Sequence, residues 1–243
     1  MGNEIYEELF RLRVSDFDCF DRLTPCAILD LSQDIAGKHA ANLHVGYDDL
    51  ISNDVVWMLL RTRYEFYKNP ELHTSVNVKT WPRVKGRCDF DRDTLISDNE
   101  GDIICKLQSK WVLVDVKKRR LILPRNYDYP FKEHCLDKTF DTPFDKLDDF
   151  SIEGLEEHKV QTQFLDLDHN GHINNVSYVK YSLNIIELEK DYYISAFEIN
   201  YIQELQNKAD LSLYVKKIDN EYFIKGISEN NNIFLLKITV NKK

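Results

Sequence analysis

Apolar residues along this chain recur with two periods. Ile28, Leu31 and Ile35 stand three and four residues apart, the spacing of one helical face. Leu211, Leu213 and Val215 alternate with Ser212, Tyr214 and Lys216, as in a half-buried strand. These patterns predict a helix from Thr24 to Asn42, followed by strands at Val55 to Tyr67, Thr74 to Trp81, Asp93 to Ser97 and Ile103 to Val114. The order then repeats, with a helix from Asn174 to Glu189 and strands at Ala196 to Gln203, Leu211 to Lys217, Tyr222 to Ser228 and Ile233 to Asn241. Thr24-Pro25 suits a helix start, because proline at the first helical position gives up an N–H that would have no partner anyway. Asn174 can cap the second helix through its side-chain oxygen. Asp98-Asn99-Glu100-Gly101 and Glu229-Asn230-Asn231-Asn232 read as hairpin turns.

One helix followed by several strands, twice over, predicts an α+β chain in which each antiparallel sheet covers its own helix. The short prelude to each helix also repeats: Asp16-Phe17-Asp18 precedes Leu23 as Asp166-Leu167-Asp168 precedes Ile173. The expected division is residues 1–130 as the first half, 131–157 as a connector, within the stretch from Tyr127 to Glu157 that is rich in Asp, Lys and Pro, and 158–243 as the second half. The plainer alternative is one long antiparallel sheet with two unrelated helices.

Composition narrows the function. With 243 residues, 43% hydrophobic and 30% charged, the chain can bury a sizeable core. Its net charge of −9 argues against general nucleic-acid binding, which needs a basic footprint. Cys19, Cys26, Cys88, Cys105 and Cys135 are odd in number and include no Cys-x-x-Cys pair, so a disulfide scaffold or zinc site is not expected and a reducing compartment is. The acidic start lacks the pattern of a secretory signal, and the longest apolar run, Val55 to Leu60, is too short for a membrane span. A cytoplasmic protein is expected.

The densest polar cluster is Asp166-Leu167-Asp168-His169-Asn170-Gly171-His172-Ile173-Asn174-Asn175, just before a helix N-terminus where the dipole favours negative charge. As a calcium loop it lacks the closing glutamate, whose place is taken by Ser177. As a transition-metal site built on His169 and His172 it lacks a third Cys or His nearby. As a structural turn and cap it would be ordinary. As a catalytic segment, Asp168, Asn170 and His172 bring a carboxylate, an amide and an imidazole into one short stretch, and Glu204 could add a second carboxylate from the end of a strand. Thioester hydrolysis needs those types: a base for water or a nucleophile, donors for the oxyanion, and orientation of both.

The segment Asp168-His169-Asn170-Gly171-His172-Ile173-Asn174-Asn175-Val176-x-Tyr178 resembles the active-site stretch of the fatty acyl–acyl carrier protein thioesterases of plant plastids and their bacterial relatives. Asn200-Tyr201-Ile202-Gln203-Glu204 resembles the strand that carries the catalytic glutamate of that family. Trp57, Tyr67-Lys68-Asn69-Pro70, Val76-x-Val78-x-Thr80-Trp81 and the run from Ser109-Lys110-Trp111 through Arg119-Arg120-Leu121 to Pro124 agree in kind and order. The resemblance implies a tandem double hotdog fold, each long helix the filling and each antiparallel sheet the bun. It implies hydrolysis of fatty acyl–carrier protein thioesters, ending chain elongation in fatty acid biosynthesis, without a cofactor or metal. It also implies that Asp168, Asn170, His172 and Glu204 form the catalytic network. Glu204 with His172 would activate water while Asp168 orients them; direct attack by Asp168 is the competing version. The family often carries a cysteine after the glutamate, where this chain has Leu205, so a thiol nucleophile is excluded there.

At the matching places of the first half stand Phe20 for Asn170 and Arg22 for His172, so that half is expected to hold the acyl chain. Ile28, Leu31, Ile35, Trp57, Met58 and Leu60 are candidates for its lining, although such a face is more often core. An acidic carrier protein would need a basic patch, for which Lys117-Lys118-Arg119-Arg120 and the group Arg83, Lys85, Arg87 and Arg92 are candidates. An acyl-CoA thioesterase is the alternative reading. A hotdog hydratase or a non-catalytic acyl-binding protein are more distant ones. Monomer and homodimer are both compatible with a doubled chain.

Overall fold

The computed structural model describes residues 5–83, 85–128 and 138–243; Cys135 and residues 131–137 of the expected connector lie outside them. The chain divides into two compact units, Met1–Pro143 and Phe144–Lys243.

In the first unit the strands are β1 (Tyr6–Arg11), β2 (Val55–Phe66), β3 (Ser75–Pro82), β4 (Phe90–Ser97), β5 (Ile103–Asp115) and β6 (Arg120–Ile122). They pair antiparallel in the order β1-β3-β4-β5-β2, with β6 on β5. Helix α1 (Pro25–Asn42) lies against β1 and β3, and a short α2 (Tyr47–Ile51) follows it. In the second unit the strands are β7 (Glu157–Gln161), β8 (Tyr192–Tyr201), β9 (Asp210–Ile218), β10 (Glu221–Ser228) and β11 (Asn231–Lys242), with helix α3 (Asn175–Ile186). Their antiparallel order is β7-β9-β10-β11-β8, the same connectivity as in the first unit. Each unit is thus a hotdog half, an antiparallel sheet with its own long helix.

Local chemistry explains the helix starts. Thr24 accepts the Ala27 N–H at 3.1 Å with Pro25 next to it, and Asn174 accepts the Val176 N–H at 3.0 Å. Helix α1 buries Ile28, Ser32, Ile35, Ala36 and His39, one face at three- and four-residue steps. Helix α3 stops at Ile186, short of the expected Glu189, because Glu187 turns left-handed at φ 45°. Glu229 and Asn230, both at positive φ, join β10 to β11 as a two-residue hairpin turn. Strands β1 and β7 were not anticipated from the pattern. Each is an edge strand, and their charged residues, as in Tyr6-Glu7-Glu8 and Glu157-His158-Lys159, hide the alternation while protecting the open edge.

The stretch after residue 137 is bonded to sheet residues. Arg63 on β2 donates to Thr142 and to the Pro143 carbonyl, and its guanidinium lies 4.3 Å from the centre of the Phe140 ring. Further on, Asn200 accepts the Leu147 N–H at 2.7 Å and Lys225 donates to Asp149 at 2.6 Å.

Gly226 on β10 has no room for a side chain, since a Cβ there would overlap the Phe234 ring of β11. Gly226→Ala is therefore expected to destabilise the protein by about 1–3 kcal/mol through overpacking. Thermal unfolding checks this, and an unchanged Tm would contradict it.

Candidate active site

The polar segment before α3 is a closed loop built on backbone bonds. A 3-10 turn, Phe164–Asp166, leads into it, and the Asp166 carboxylate accepts the Gln163 N–H at 2.7 Å. Leu167 and Ile173 then pair as an isolated antiparallel bridge. Between them, the Asp168 N–H donates to the His172 carbonyl at 2.8 Å, and the Gly171 N–H donates to the Asp168 carbonyl at 3.1 Å. Gly171 sits at φ 80°, where a Cβ would be strained. The Asn174 N–H closes onto the Asp166 carbonyl at 2.8 Å.

The Asp168 carboxylate organises this loop. Its Oδ1 accepts the N–H groups of Asn170 at 2.8 Å and His172 at 3.2 Å, and its Oδ2 accepts the Asn170 side-chain amide at 3.3 Å. The imidazole Nε2 of His172 lies 3.5 Å from Oε2 of Glu204. Their side chains are 40% and 46% exposed, so the pair is open to an incoming ligand. Asp168, Asn170, His172 and Glu204 are therefore gathered in one unit around one loop. His169 is exposed on the same loop.

Glu204 is held from both sides. Upstream, the N–H groups of Ile202 and Gln203 donate to the Ile233 carbonyl at 2.9 and 3.1 Å. Downstream, the Leu205 carbonyl accepts the Ile173 N–H at 3.2 Å, and the Leu205 N–H donates to the Tyr178 hydroxyl at 3.2 Å. Burial pushes the Tyr178 phenol up to about 12; the bond from Leu205 opposes this, and the Glu204 and Asp168 charges reinforce it. Tyr178 belongs to the sequence motif, but its attachment to the turn after β8 could not be read from spacing along the chain.

The first unit repeats the loop with different side chains. Phe17 and Leu23 form the bridge, and the Asp18 N–H donates to the Arg22 carbonyl at 2.9 Å. The Asp18 Oδ1 accepts the N–H groups of Phe20 and Arg22 at 2.9 and 3.0 Å. Here, however, Arg22 Nε donates to Asp18 Oδ2 at 2.6 Å, and the guanidinium lies over the Phe20 ring. Asn69 follows β2 as Glu204 follows β8; its Oδ1 accepts the Leu23 N–H at 2.9 Å and its amide donates to the Asp21 carbonyl at 2.8 Å. The carboxylate of this twin is neutralised by arginine, and an amide stands where the second acid would.

The other residues singled out from the sequence lie in the first unit. Ile28 and Ile35 are core residues at 1% and 0% exposure, with Leu31 and Met58 half-buried. Trp57 is half-buried, donates to the Val45 carbonyl at 2.9 Å, and packs edge-on to Phe90 beside Leu43, Val45, Leu50 and Val55. Arg119, in the β5–β6 turn, and Arg120, the first residue of β6, are exposed, whereas Lys117 and Lys118 pair with Asp54 and Asp115. The second basic group is not a single surface patch: Arg92 is buried, within 3.1 Å of the His39 ring and 3.2 Å of the Thr80 hydroxyl. Its positive charge is spent inside the fold, not at the surface. Among the described residues, the acids close enough to share a cation are Asp98, Glu100 and Asp102, where Lys68 already pairs with Asp98 and Asp102.

The two halves of the chain match two domain models in turn. Residues 3–123 match the acyl-ACP thioesterase N-terminal domain, and residues 151–242 match the acyl-ACP thioesterase C-terminal domain. The oleoyl-acyl carrier protein thioesterase 2, chloroplastic, of Arabidopsis thaliana is 26% identical over 251 residues, covering 93% of this chain and 66% of the relative. The chain thus spans just under two thirds of the length of that relative. The fold is shared with an acyl-ACP thioesterase from Bacteroides thetaiotaomicron, at 23% identity and a TM-score of 0.86 over 98% of both chains. It is shared also with the 12:0-ACP thioesterase from Umbellularia californica, at 19% identity and a TM-score of 0.88 over 100% of this chain and 99% of the other. With both domain models matched in order along its length, the chain belongs to the acyl-ACP thioesterase family.

Proposed function

We propose that the chain hydrolyses fatty acyl thioesters carried on an acyl carrier protein, releasing free fatty acid, with Asp168, Asn170, His172 and Glu204 as its catalytic network. The observation that carries this reading is the approach of His172 Nε2 to Glu204 Oε2 at 3.5 Å beside the loop organised by Asp168. Catalytic contacts are commonly longer in an unliganded site than in the reacting complex. Water adds to the thioester carbonyl as Glu204, assisted by His172, takes its proton. The carbon–sulfur bond then breaks, and the proton taken from water passes from the Glu204–His172 pair to the leaving thiolate. Both oxygens of Asp168 accept bonds from its own loop, which supports an orienting role over direct attack on the carbonyl.

In this reading residues 1–130 hold the acyl chain through the half-buried Leu31, Trp57 and Met58, while Ile28 and Ile35 serve as core, and 158–243 carry the chemistry. Arg119 and Arg120 are exposed cations suited to an acidic carrier protein. A reducing, cytoplasmic setting belongs to this reading, because the cysteines are scattered and include no Cys-x-x-Cys pair. No helix among the described residues is long and apolar enough to cross a membrane.

Thiol release measured on the same acyl group attached to carrier protein and to coenzyme A tests the substrate. The expected result is faster turnover of the carrier-protein substrate, with an advantage that shrinks as salt rises because steering by exposed charge is screened over ~8–10 Å. A strong, salt-insensitive coenzyme A preference would instead indicate an acyl-CoA thioesterase.

A further inference from the structure

The acid–base pair proposed above depends on a short turn beyond the last residue of β8, and such a turn must be held to a few tenths of an ångström. Glu204 is exposed, and among the described residues no side chain other than His172 meets its carboxylate. Its placement therefore falls to the backbone on either side. The peptide that follows Glu204 is the one whose N–H meets the Tyr178 hydroxyl at 3.2 Å, within the buried part of the unit. Leu205 itself is 6% exposed and Tyr178 3%, so no water is at hand to replace that bond.

We propose that Tyr178 is a positioning residue for this reaction: by accepting the Leu205 N–H, its hydroxyl holds the Glu204-bearing turn at working distance from His172. This rests on the assignment of Glu204 and His172 given above. The hydroxyl is itself fixed. Tyr178 lies in the first turns of α3, whose start is set by the Asn174 cap, and its ring packs against Tyr201 at 6.0 Å and Phe234 at 5.4 Å between centroids. Tyr201 ends β8, three residues before Glu204. The second clip on the same residue, from Ile173 N–H to Leu205 carbonyl, comes from the neighbour of His172. One residue, Leu205, thus ties the turn of Glu204 both to the helix and to the loop of His172. Burial keeps the phenol protonated and neutral, so it orients the turn without adding a third negative charge beside Asp168 and Glu204.

Tyr178→Phe is the test, since it keeps the ring and removes only the acceptor. The expected result is a fall in kcat of about 10- to 100-fold, the scale for a catalytic group displaced by about an ångström, with KM little changed. The kcat–pH profile should move as well, because the contact between Glu204 and His172 loosens. Ser182→Ala serves as the stability control: its hydroxyl donates to the Tyr178 carbonyl at 2.8 Å inside the helix and does not touch Leu205. It should leave kcat and the pH profile alone. Wild-type kcat in Tyr178→Phe, or parallel losses of activity and Tm in both variants with an unmoved pH profile, would overturn the proposal. His172→Ala measured beside them separates the two levels. Full activity in His172→Ala removes the site and the proposal together, whereas an inactive His172→Ala with a fully active Tyr178→Phe removes the positioning role alone.

Discussion

His172→Ala is expected to lower kcat/KM for acyl-thioester hydrolysis by about 10²- to 10⁴-fold, the usual contribution of a positioned acid–base group. Glu204→Gln should give a loss of the same order. The double variant should lose little more than either single one, because groups that act as a unit are not additive. Folding should survive all three changes. The two side chains are 40% and 46% exposed, and an exposed ion pair contributes only ~0–1 kcal/mol to stability. Thiol release together with thermal unfolding checks this. Wild-type turnover in either single variant, or fully multiplicative losses, would remove the pair from the mechanism.

Asp168→Asn is expected to lose turnover on a similar scale, about 10²- to 10⁴-fold, while keeping its loop. The substituted side chain retains an oxygen for the N–H groups of Asn170 and His172, so the loop keeps its backbone bonds and loses the negative charge together with the acceptor for the Asn170 side-chain amide. The twin loop supplies the control. Asp18→Asn keeps an oxygen for the N–H groups of Phe20 and Arg22 but breaks the 2.6 Å bond from the Arg22 side chain. That change should cost about 1–3 kcal/mol, the range for a charged hydrogen bond, and leave turnover at the wild-type level. Equal activity losses in the two variants would mean that the carboxylate serves loop geometry alone.

The contrast between the twin loops shows what kind of information each level holds. Both loops are specified locally: an aspartate that collects the N–H groups two and four residues ahead, a bridge, and a capping residue leading into a helix. The sequence displays that repetition, and with it the replacement of Asn170 by Phe20 and of His172 by Arg22. It does not display that Arg22 folds back onto Asp18, or that Asn69 occupies the counterpart of Glu204. Those are contacts between side chains far apart along the chain.

Secondary structure divides in the same way. Helix starts were legible in Thr24-Pro25 and Asn174, because a cap is a bond between residues two or three apart. Central strands were legible where one face is buried, as at Leu211 and Leu213 with 1% and 0% exposure. The edge strands β1 and β7 were not, since a strand paired on one side carries charges wherever solvent reaches it. The short α2 was likewise missed: five residues leave no room for a helical period.

The chain by itself determined the doubled α+β plan, the two capped loops and the residue types proposed to bear the chemistry, because each depends on neighbours along the backbone or on a periodic burial pattern. Tertiary structure alone decided that Glu204 meets His172, that the Leu205 N–H meets the Tyr178 hydroxyl, and that Arg92 is buried while Arg119 and Arg120 are exposed. Such outcomes follow from sheet order and helix packing, which bring distant residues to within a few ångströms and leave no trace in local spacing.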